Sequence, residues 1–238
     1  MSVLTLSGIR GGVGTTSVAA MVGDALHIQD QSVLLVDADS SNMLRLLFNV
    51  PYHDSHGWFT AYSCEQDWTE HSFEVSPGLM LLPYGHSVAE TAEETLPDPD
   101  AFWVRNIALL EKSFDWVVFD LPVGKYPLLR KHATFDLLLA AVDIGCHLHL
   151  HQVGLPLAAR LLATQFNPSR QLSNDVLGDW QAKYSDALIP AIMHWDESVH
   201  ESMALKSPAT RAFPDSRAAQ DSHSLAAWLQ VHAAAGNR

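Results

Sequence analysis

The stretch Arg10-Gly11-Gly12-Val13-Gly14-Thr15-Thr16-Ser17 decides the fold of this chain. It follows a short apolar run, residues 3–6, and precedes a segment with helical periodicity, residues 16–27. A glycine-rich turn between a strand and a helix directs backbone N–H groups and the positive end of the helix dipole at a phosphate. Thr15 stands where a phosphate loop carries its lysine. The stretch therefore predicts a loop that holds a nucleoside triphosphate and is poor at hydrolysing it.

Composition and charge narrow the class of protein. The 238 residues are 47% hydrophobic, which is enough for one α/β domain with a large core. The formal net charge is −13, and Arg130-Lys131 is the only adjacent pair of basic residues. Because an acidic surface repels phosphate backbones, we expect no nucleic-acid partner.

The sequence also indicates a compartment. Its two cysteines, Cys64 and Cys146, fit a reducing environment without a disulfide framework. The first residues lack a basic segment followed by an apolar one, and the longest nearly apolar stretch, 135–142, contains Asp136. We expect a soluble, cytoplasmic protein that is recruited to the inner membrane only through partners.

Short apolar runs alternate with helical patterns along the chain. Runs that are apolar on both faces are typical of a parallel sheet covered by helices on both sides. The alternation predicts one α/β domain over residues 1–238, built on a single doubly wound, mainly parallel sheet. The predicted strands are 3–6, 33–36, 79–82, 116–119, 137–142, 161–163 and 188–193, and the predicted helices are 16–27, 102–112, 127–134, 172–184, 197–206 and 218–233. Two stretches, 51–78 and 89–100, interrupt the pattern, and we interpret them as surface excursions.

Carboxylates follow two of the predicted strands. Asp37 and Asp39 end the run at 33–36, and Asp120 ends the run at 116–119. Ligands of open α/β sheets bind at this carboxyl edge, where a carboxylate can orient a water or hold a Mg²⁺-bound water. Asp37 is the candidate catalytic residue. An aspartate in such a place is often only a turn former, so the interpretation depends on the loop and both strands occurring together.

The loop and these strands resemble the MinD and ParA ATPases, whose deviant Walker A loop reads K-G-G-x-G-K-[ST]. The resemblance continues through 161–176 and 189–219, including Phe166-Asn167-Pro168 and Phe213-Pro214-Asp215-Ser216-Arg217. It implies a P-loop fold, ATP and Mg²⁺ as cofactors, and a homodimer that sandwiches the nucleotide. The candidate cofactor-binding residues are Arg10, Gly11, Gly12, Val13, Gly14, Thr15, Thr16, Ser17, Asp39 and Asn167, and the candidate metal-binding residues are Thr16 and Asp120.

Within this superfamily the chain resembles the BcsQ family, the MinD-like proteins of bacterial cellulose secretion systems. The residues that carry the likeness are scattered and mostly not catalytic in type: the lysine-free loop 8–16, the run 44–50, Gly57-Trp58, Gln66-Asp67-Trp68, 81–85, Cys146-His147, His151-Gln152 and 194–197. The resemblance implies a scaffold or regulator with partners on the cytoplasmic side of a cellulose synthase complex, including a small BcsR-like protein.

Two departures from the MinD and ParA loop bear on hydrolysis. In that family one lysine crosses to the partner subunit's phosphates, and a second neutralises the phosphates of its own subunit. Arg10 takes the first position and keeps the charge, whereas Thr15 takes the second and carries none. Transition-state stabilisation in phosphoryl transfer is mostly electrostatic, so we expect a stable nucleotide clamp and slow or absent hydrolysis.

Several residues allow more than one interpretation. Thr16 could ligate Mg²⁺, cap the first helix, or do both. His147, His149 and His151 would share one face of a strand, but Asp143 looks like a helix cap, so we favour a helix and a polar surface over a metal site. The tryptophans are core residues by default, although three could face a partner: Trp58, Trp68 and Trp195. Residues 225–235 lack the lysine-rich face of a membrane-surface helix.

The sequence also fits two other functional classes. The first is an active ParA- or MinD-type ATPase for positioning or partitioning; the acidic charge and the missing membrane helix count against it. The second is a metabolic ATP-dependent enzyme, for which the sequence shows no further catalytic constellation. Neither the preference between ATP and GTP nor the partner surface follows from the residues.

Overall fold

A computed structural model describes residues 1–86 and 98–236. Its centre is an eight-stranded sheet with the order β3-β4-β2-β5-β1-β6-β7-β8, in which every pair is parallel except β3 with β4. The strands are β1 (Ser2–Gly8), β2 (Val33–Asp37), β3 (Phe73–Ser76), β4 (Leu79–Leu82), β5 (Trp116–Leu121), β6 (Phe135–Ala141), β7 (Arg160–Phe166) and β8 (Leu188–His194).

Helices cover both faces of the sheet. They are α1 (Thr15–Ile28), α2 (Trp58–Ser63), α3 (Pro99–Asn106), α4 (Pro127–His132), α5 (Ile144–Val153), α6 (Gln171–Lys183), α7 (Ser198–Ala204), α8 (Ala209–Ala212) and α9 (Arg217–Gly236), with 3₁₀ turns at Leu44–Phe48, Trp68–His71 and Ile107–Leu110. Side chains alternate along each strand, so Leu35 packs under α1 while its neighbours Leu34 and Val36 face the other layer. The two hydrophobic cores lie on opposite sides of the sheet.

The predicted fold class is confirmed: the sheet is doubly wound, mainly parallel and covered on both faces. All seven predicted strands and six predicted helices are present within a few residues of their expected bounds. The helix expected at 102–112 begins earlier, because the Asp98 side chain accepts a hydrogen bond from Asp100 N and Pro99 occupies the first turn; it changes to a 3₁₀ turn at Ile107. That residues 1–238 form one domain stays a prediction.

The interpretation of residues 51–78 as a surface excursion was wrong. This stretch contains α2, a 3₁₀ turn and the antiparallel strand β3, and its tryptophans Trp58 and Trp68 are buried. The Trp58 indole packs against Phe102 and Trp103 of α3 and donates a hydrogen bond to the carbonyl of Asp37. The stretch is therefore part of the second core. In the other interruption, 89–100, residues 89–97 lie outside the described part of the chain.

Among residues 1–86 and 98–236, no helix is long and apolar enough to cross a membrane. The last helix, α9, packs against α1 and β8, and its residues Leu225 and Leu229 are completely buried. The C-terminal segment is accordingly a core helix of the fold.

Candidate functional site

The loop between β1 and α1 has the backbone of a phosphate cradle. Gly12 and Gly14 have φ angles of 81° and 91°, which favour glycine because a side chain would be strained there. Gly14 is the N-cap of α1, and its carbonyl accepts the first helical hydrogen bond from Val18. In the described part of the chain, no backbone N–H of residues 11–14 has a hydrogen-bond partner. These N–H groups and the helix N-terminus are available for an anion.

Two residues of β7 fix this loop from the side. The Thr164 hydroxyl donates to the carbonyl of Val13 at 2.9 Å, and the Gln165 amide donates to the carbonyl of Gly12 at 2.7 Å. Both carbonyls are thereby held by the sheet. Sequence reasoning missed these residues, although a polar pair near the end of an otherwise apolar strand, Leu161 to Phe166, was a readable signal.

Thr16 and Asp120 lie together next to the loop. Asp120 Oδ2 is buried without a hydrogen-bond partner in the described part of the chain. Burial raises the pKa of Asp120 to about 7, the nearby Thr16 hydroxyl opposes this shift, and the charge of Asp39 adds to it. A buried carboxylate oxygen with no donor, beside a hydroxyl, fits the oxygen ligands that Mg²⁺ prefers.

Asp37 and Asp39 differ in what their carboxylates contact. Asp37 is completely buried, with Oδ1 accepting from Asp39 N and Oδ2 from Leu44 N, both at 3.0 Å. Burial and the charge of Asp120 raise its pKa well above the usual range. Asp39 is only half-buried and uses one oxygen, which accepts from Ser41 N. This geometry gives Asp37 a role in shaping the turn and favours Asp39 for contact with water or nucleotide. The catalytic role of Asp37 stays a prediction.

Arg10 is at the exposed tip of the loop. Its Nη2 forms an ion pair with Asp143 Oδ2 at 2.5 Å, and both side chains are more than 40% exposed. The other Asp143 oxygen caps α5 by accepting from Cys146 N at 2.8 Å. An ion pair this exposed contributes little to stability, so the Arg10 guanidinium can leave Asp143 at low cost.

A cavity of about 240 Å³ adjoins the loop on the β7 and β8 side. It is mainly apolar, and Trp195, which is half-exposed, forms part of its wall. Its lining residues are Gly12, Val13, Gly14, Ser17, Val18, Met21, Thr164, Gln165, Met193, His194, Trp195, Asp196, Val199, His200, Met203 and Ala218. The site thus brings Ser17 together with residues after β8 that sequence reasoning had not assigned.

The structure does not place Asn167 on this cavity. Its side-chain oxygen accepts from Ser169 N and closes a turn after β7. The neighbouring residues Thr164 and Gln165 line the cavity instead. The nucleotide contact of Asn167 stays a prediction.

The remaining candidate residues lie away from the phosphate loop or line the cavity beside it. His147 and His151 are on the helix α5, as predicted, and the His147 ring is 3.8 Å from Asp179. Within the described residues, no group of three or more histidine, cysteine or acidic side chains is placed to hold a metal. Of the three tryptophans considered for a partner surface, Trp195 alone is exposed.

The sheet and its loop define a class of protein: the P-loop fold of the MinD and ParA ATPases. The structure matches the septum site-determining protein MinD of Pyrococcus horikoshii, which was solved in complex with Mg-ADP. The TM-score is 0.73 and the sequence identity is 20%, and the match covers 94% of each chain. It matches a ParA family ATPase of Chlorobium tepidum at a TM-score of 0.74 and 16% identity, over 94% of this chain and 98% of that one.

Within that class, the chain belongs to the BcsQ family. The family model described as "Cellulose biosynthesis protein BcsQ" matches residues 1–229. The cellulose biosynthesis protein BcsQ of Salmonella typhimurium is 36% identical, and that of Escherichia coli K12 is 33% identical. Each alignment covers 98% of this chain and 95% of the relative.

Proposed function

We propose that this protein binds ATP and Mg²⁺ and acts as a nucleotide-dependent, dimeric scaffold or regulator of a bacterial cellulose synthase secretion complex, with slow or absent hydrolysis. The observation that carries the proposal is the uncharged Thr15 in a phosphate loop whose other parts are in place. The names of its relatives supply the cellulose context.

The loop binds the phosphates through its backbone. The free N–H groups of residues 11–14 and the N-terminus of α1 face the anion, while Thr164 and Gln165 keep the loop carbonyls turned to β7. The Thr16 hydroxyl and Asp120 Oδ2 would hold Mg²⁺, which neutralises phosphate charge when bound. The nucleoside takes the apolar 240 Å³ cavity, with Trp195 offering a ring face for stacking.

Arg10 is the clamp between two protomers. In the single chain its guanidinium is bound to Asp143 at the loop tip, where it is exposed to an incoming protomer. When Arg10 leaves the exposed Asp143 carboxylate and binds the phosphates of the partner protomer, bidentate, charge-assisted hydrogen bonds replace a weak ion pair. The nucleotide is then covered on both sides.

Hydrolysis is slow because position 15 carries no positive charge beside the β- and γ-phosphates, where negative charge develops in the transition state. Thr15 can donate a hydrogen bond but brings no charge to the β- and γ-phosphates, and removal of one preorganised electrostatic group costs about 10²- to 10³-fold in rate. The nucleotide is retained, and the closed dimer persists as a surface for partners. A BcsR-like protein and the cytoplasmic side of the synthase are those partners, and they recruit the protein to the inner membrane.

Nucleotide content and mass of the purified protein test this proposal. Native mass spectrometry in the presence of ATP and Mg²⁺ should show a dimer with two ATP molecules, and phosphate release should be slow. Arg10→Ala should leave ATP on a monomer, whereas Lys131→Ala, a matched loss of charge at the far end of α4, should change nothing. Turnover at ordinary ATPase rates would refute slow hydrolysis, and a persistent ATP-bound monomer would refute the clamp.

A second candidate is an active ATPase of the ParA or MinD type. The proximity of Thr16 to Asp120 favours it, because these two residues would hold the Mg²⁺ that hydrolysis needs. Rapid phosphate release from pure protein would favour the active ATPase over a scaffold that retains its ATP.

A further inference from the structure

A second cavity, of about 370 Å³, lies on the other side of the carboxyl edge. It is bounded by the loop after β2, the loop after β5 and the start of α3. Its lining residues are Ala38, Ser40, Phe59, Tyr84, Asp98, Pro99, Asp100, Pro122, Lys125 and Tyr126. Ala38 and Ser40 flank Asp39 in the sequence, so the cavity adjoins the turn that follows β2.

The two carboxylates of this cavity are already engaged by backbone groups. Asp100 accepts from Leu128 N and Leu129 N, both at 2.7 Å, and so caps the N-terminus of α4. Asp98 accepts from Asp100 N and caps α3. Oxygens of both carboxylates are therefore hydrogen-bonded to backbone N–H groups at helix N-termini.

Lys125 is the cation of this cavity. It follows Asp120 by five residues, within a tight turn in which Lys125 N donates to the carbonyl of Pro122 and Gly124 has a φ of 71°. Asp120 is paired in register with Leu6 on β1, so the turn lies beside the phosphate loop at the same edge of the sheet. Lys125 forms no ion pair with any residue in the ranges 1–86 and 98–236.

We propose that Lys125, in the loop after β5, binds the terminal phosphate of the nucleotide; this contact strengthens ATP binding and does not replace the charge that is absent at Thr15. This inference rests on the proposed function and adds a phosphate-binding residue to the same site. In a chain with a net charge of −13, a triphosphate needs local cations. Lys125 lies four residues beyond the end of β5, at the edge of the sheet that carries the phosphate loop, and its ammonium has no ion-pair partner among the described residues.

The proposal has a specific consequence for affinity. A lysine that contacts only the third phosphate favours ATP and leaves ADP unaffected. A hydrogen bond to a charged group contributes enough for about a tenfold difference in the dissociation constant. The ratio of ATP to ADP affinity therefore reports on Lys125, whereas the absolute affinity reports on the loop.

Isothermal titration with ATP, ADP and inorganic phosphate, on the full chain with Mg²⁺, tests this assignment. Lys125→Gln should weaken ATP binding about tenfold and leave ADP binding unchanged, and Lys125→Arg should restore most of the preference. Lys131→Gln, the same change at the exposed end of α4, should leave both affinities unchanged. Thermal unfolding of each variant should match that of the parent chain, since Lys125 is exposed.

Other results would overturn the assignment. Equal losses for ATP and ADP would place Lys125 away from the third phosphate, and unchanged ATP affinity with weaker binding of inorganic phosphate would indicate a separate anion site. Either outcome leaves the proposed function standing. Failure of the parent chain to bind ATP at all would overturn the proposed function together with this inference.

Discussion

Asp37 and Asp120 end two neighbouring strands and face each other in register, yet their surroundings are opposite. Both are completely or almost completely buried. Asp37 has a backbone N–H on each oxygen, whereas Asp120 has one oxygen with no donor. A buried carboxylate that is fully hydrogen-bonded supports the fold, and one left unsatisfied costs free energy until a ligand reaches it. The same isosteric change at each position should therefore have opposite consequences.

The largest effect is expected from Asp120→Asn on nucleotide binding. This change keeps the shape of the side chain, but it removes the charge that would hold Mg²⁺. We expect Mg²⁺-dependent ATP affinity to fall by about a hundredfold, near the upper end for residues that support metal sites. Titration calorimetry at fixed ATP and varied Mg²⁺ would measure it. A Mg²⁺ dependence equal to that of the parent chain would remove Asp120 from the metal site.

Asp37→Asn should act on stability instead. The amide nitrogen cannot accept a hydrogen bond, so the N–H of either Asp39 or Leu44 loses its partner, at a cost of about 2 kcal/mol in the free energy of unfolding relative to Asp120→Asn, which removes a buried carboxylate of raised pKa without this loss. Urea denaturation would show this loss. Asp120→Asn serves as the matched control, because at pH 8 it should raise stability, on the order of 2 kcal/mol, by removing an unfavourable buried charge. Destabilisation of similar size by both changes would contradict the comparison.

The pH dependence of stability should have contributions from both carboxylates, because the folded state raises the pKa of Asp37 as well as that of Asp120. The pKa of Asp120 is raised to about 7 in the folded chain, so between pH 4 and 7 the folded state binds more protons than the unfolded state. The stability of the nucleotide-free protein should thus fall as pH rises through this window and level off above it. Denaturation midpoints at several pH values would show the slope. In Asp120→Asn the slope should flatten, and saturating Mg²⁺ and ATP should reduce it, because the metal favours the carboxylate.

The smallest effect is expected from Asp39→Asn. The charge of Asp39 contributes to the raised pKa of Asp120, so removing it should move the pH window of the parent chain to lower values. The change in stability at neutral pH should stay within about 1 kcal/mol, because Asp39 is half-buried and accepts a single turn hydrogen bond. An unchanged pH profile would show that the two carboxylates do not interact.

The elements that sequence reasoning predicted correctly were those with a local signal. The loop glycines, the apolar strands and the aspartates at their ends all follow from spacing along a short segment. The turn roles of Asp37 and Asn167 depend on backbone donors that no spacing reveals. Trp58 was expected in the core by default, with a partner surface as the alternative. Its neighbours in the structure, α3 and Asp37, are distant from it in sequence, so its burial could not be read from the local pattern. Thr164 and Asp100 likewise bind the phosphate loop and the start of α4, which are far from them in sequence.

The two hydrogen bonds from β7 to the carbonyls of Gly12 and Val13 also affect the entropy of binding. A glycine-rich loop loses more conformational freedom on ordering than any other segment of its length. Here that loss occurs when the sheet forms, because Thr164 and Gln165 hold the loop before any ligand arrives. The cradle is preorganised, so more of its interaction energy with phosphate appears as affinity. Thr164→Val should therefore weaken nucleotide binding through an unfavourable entropy while the heat released on binding changes little.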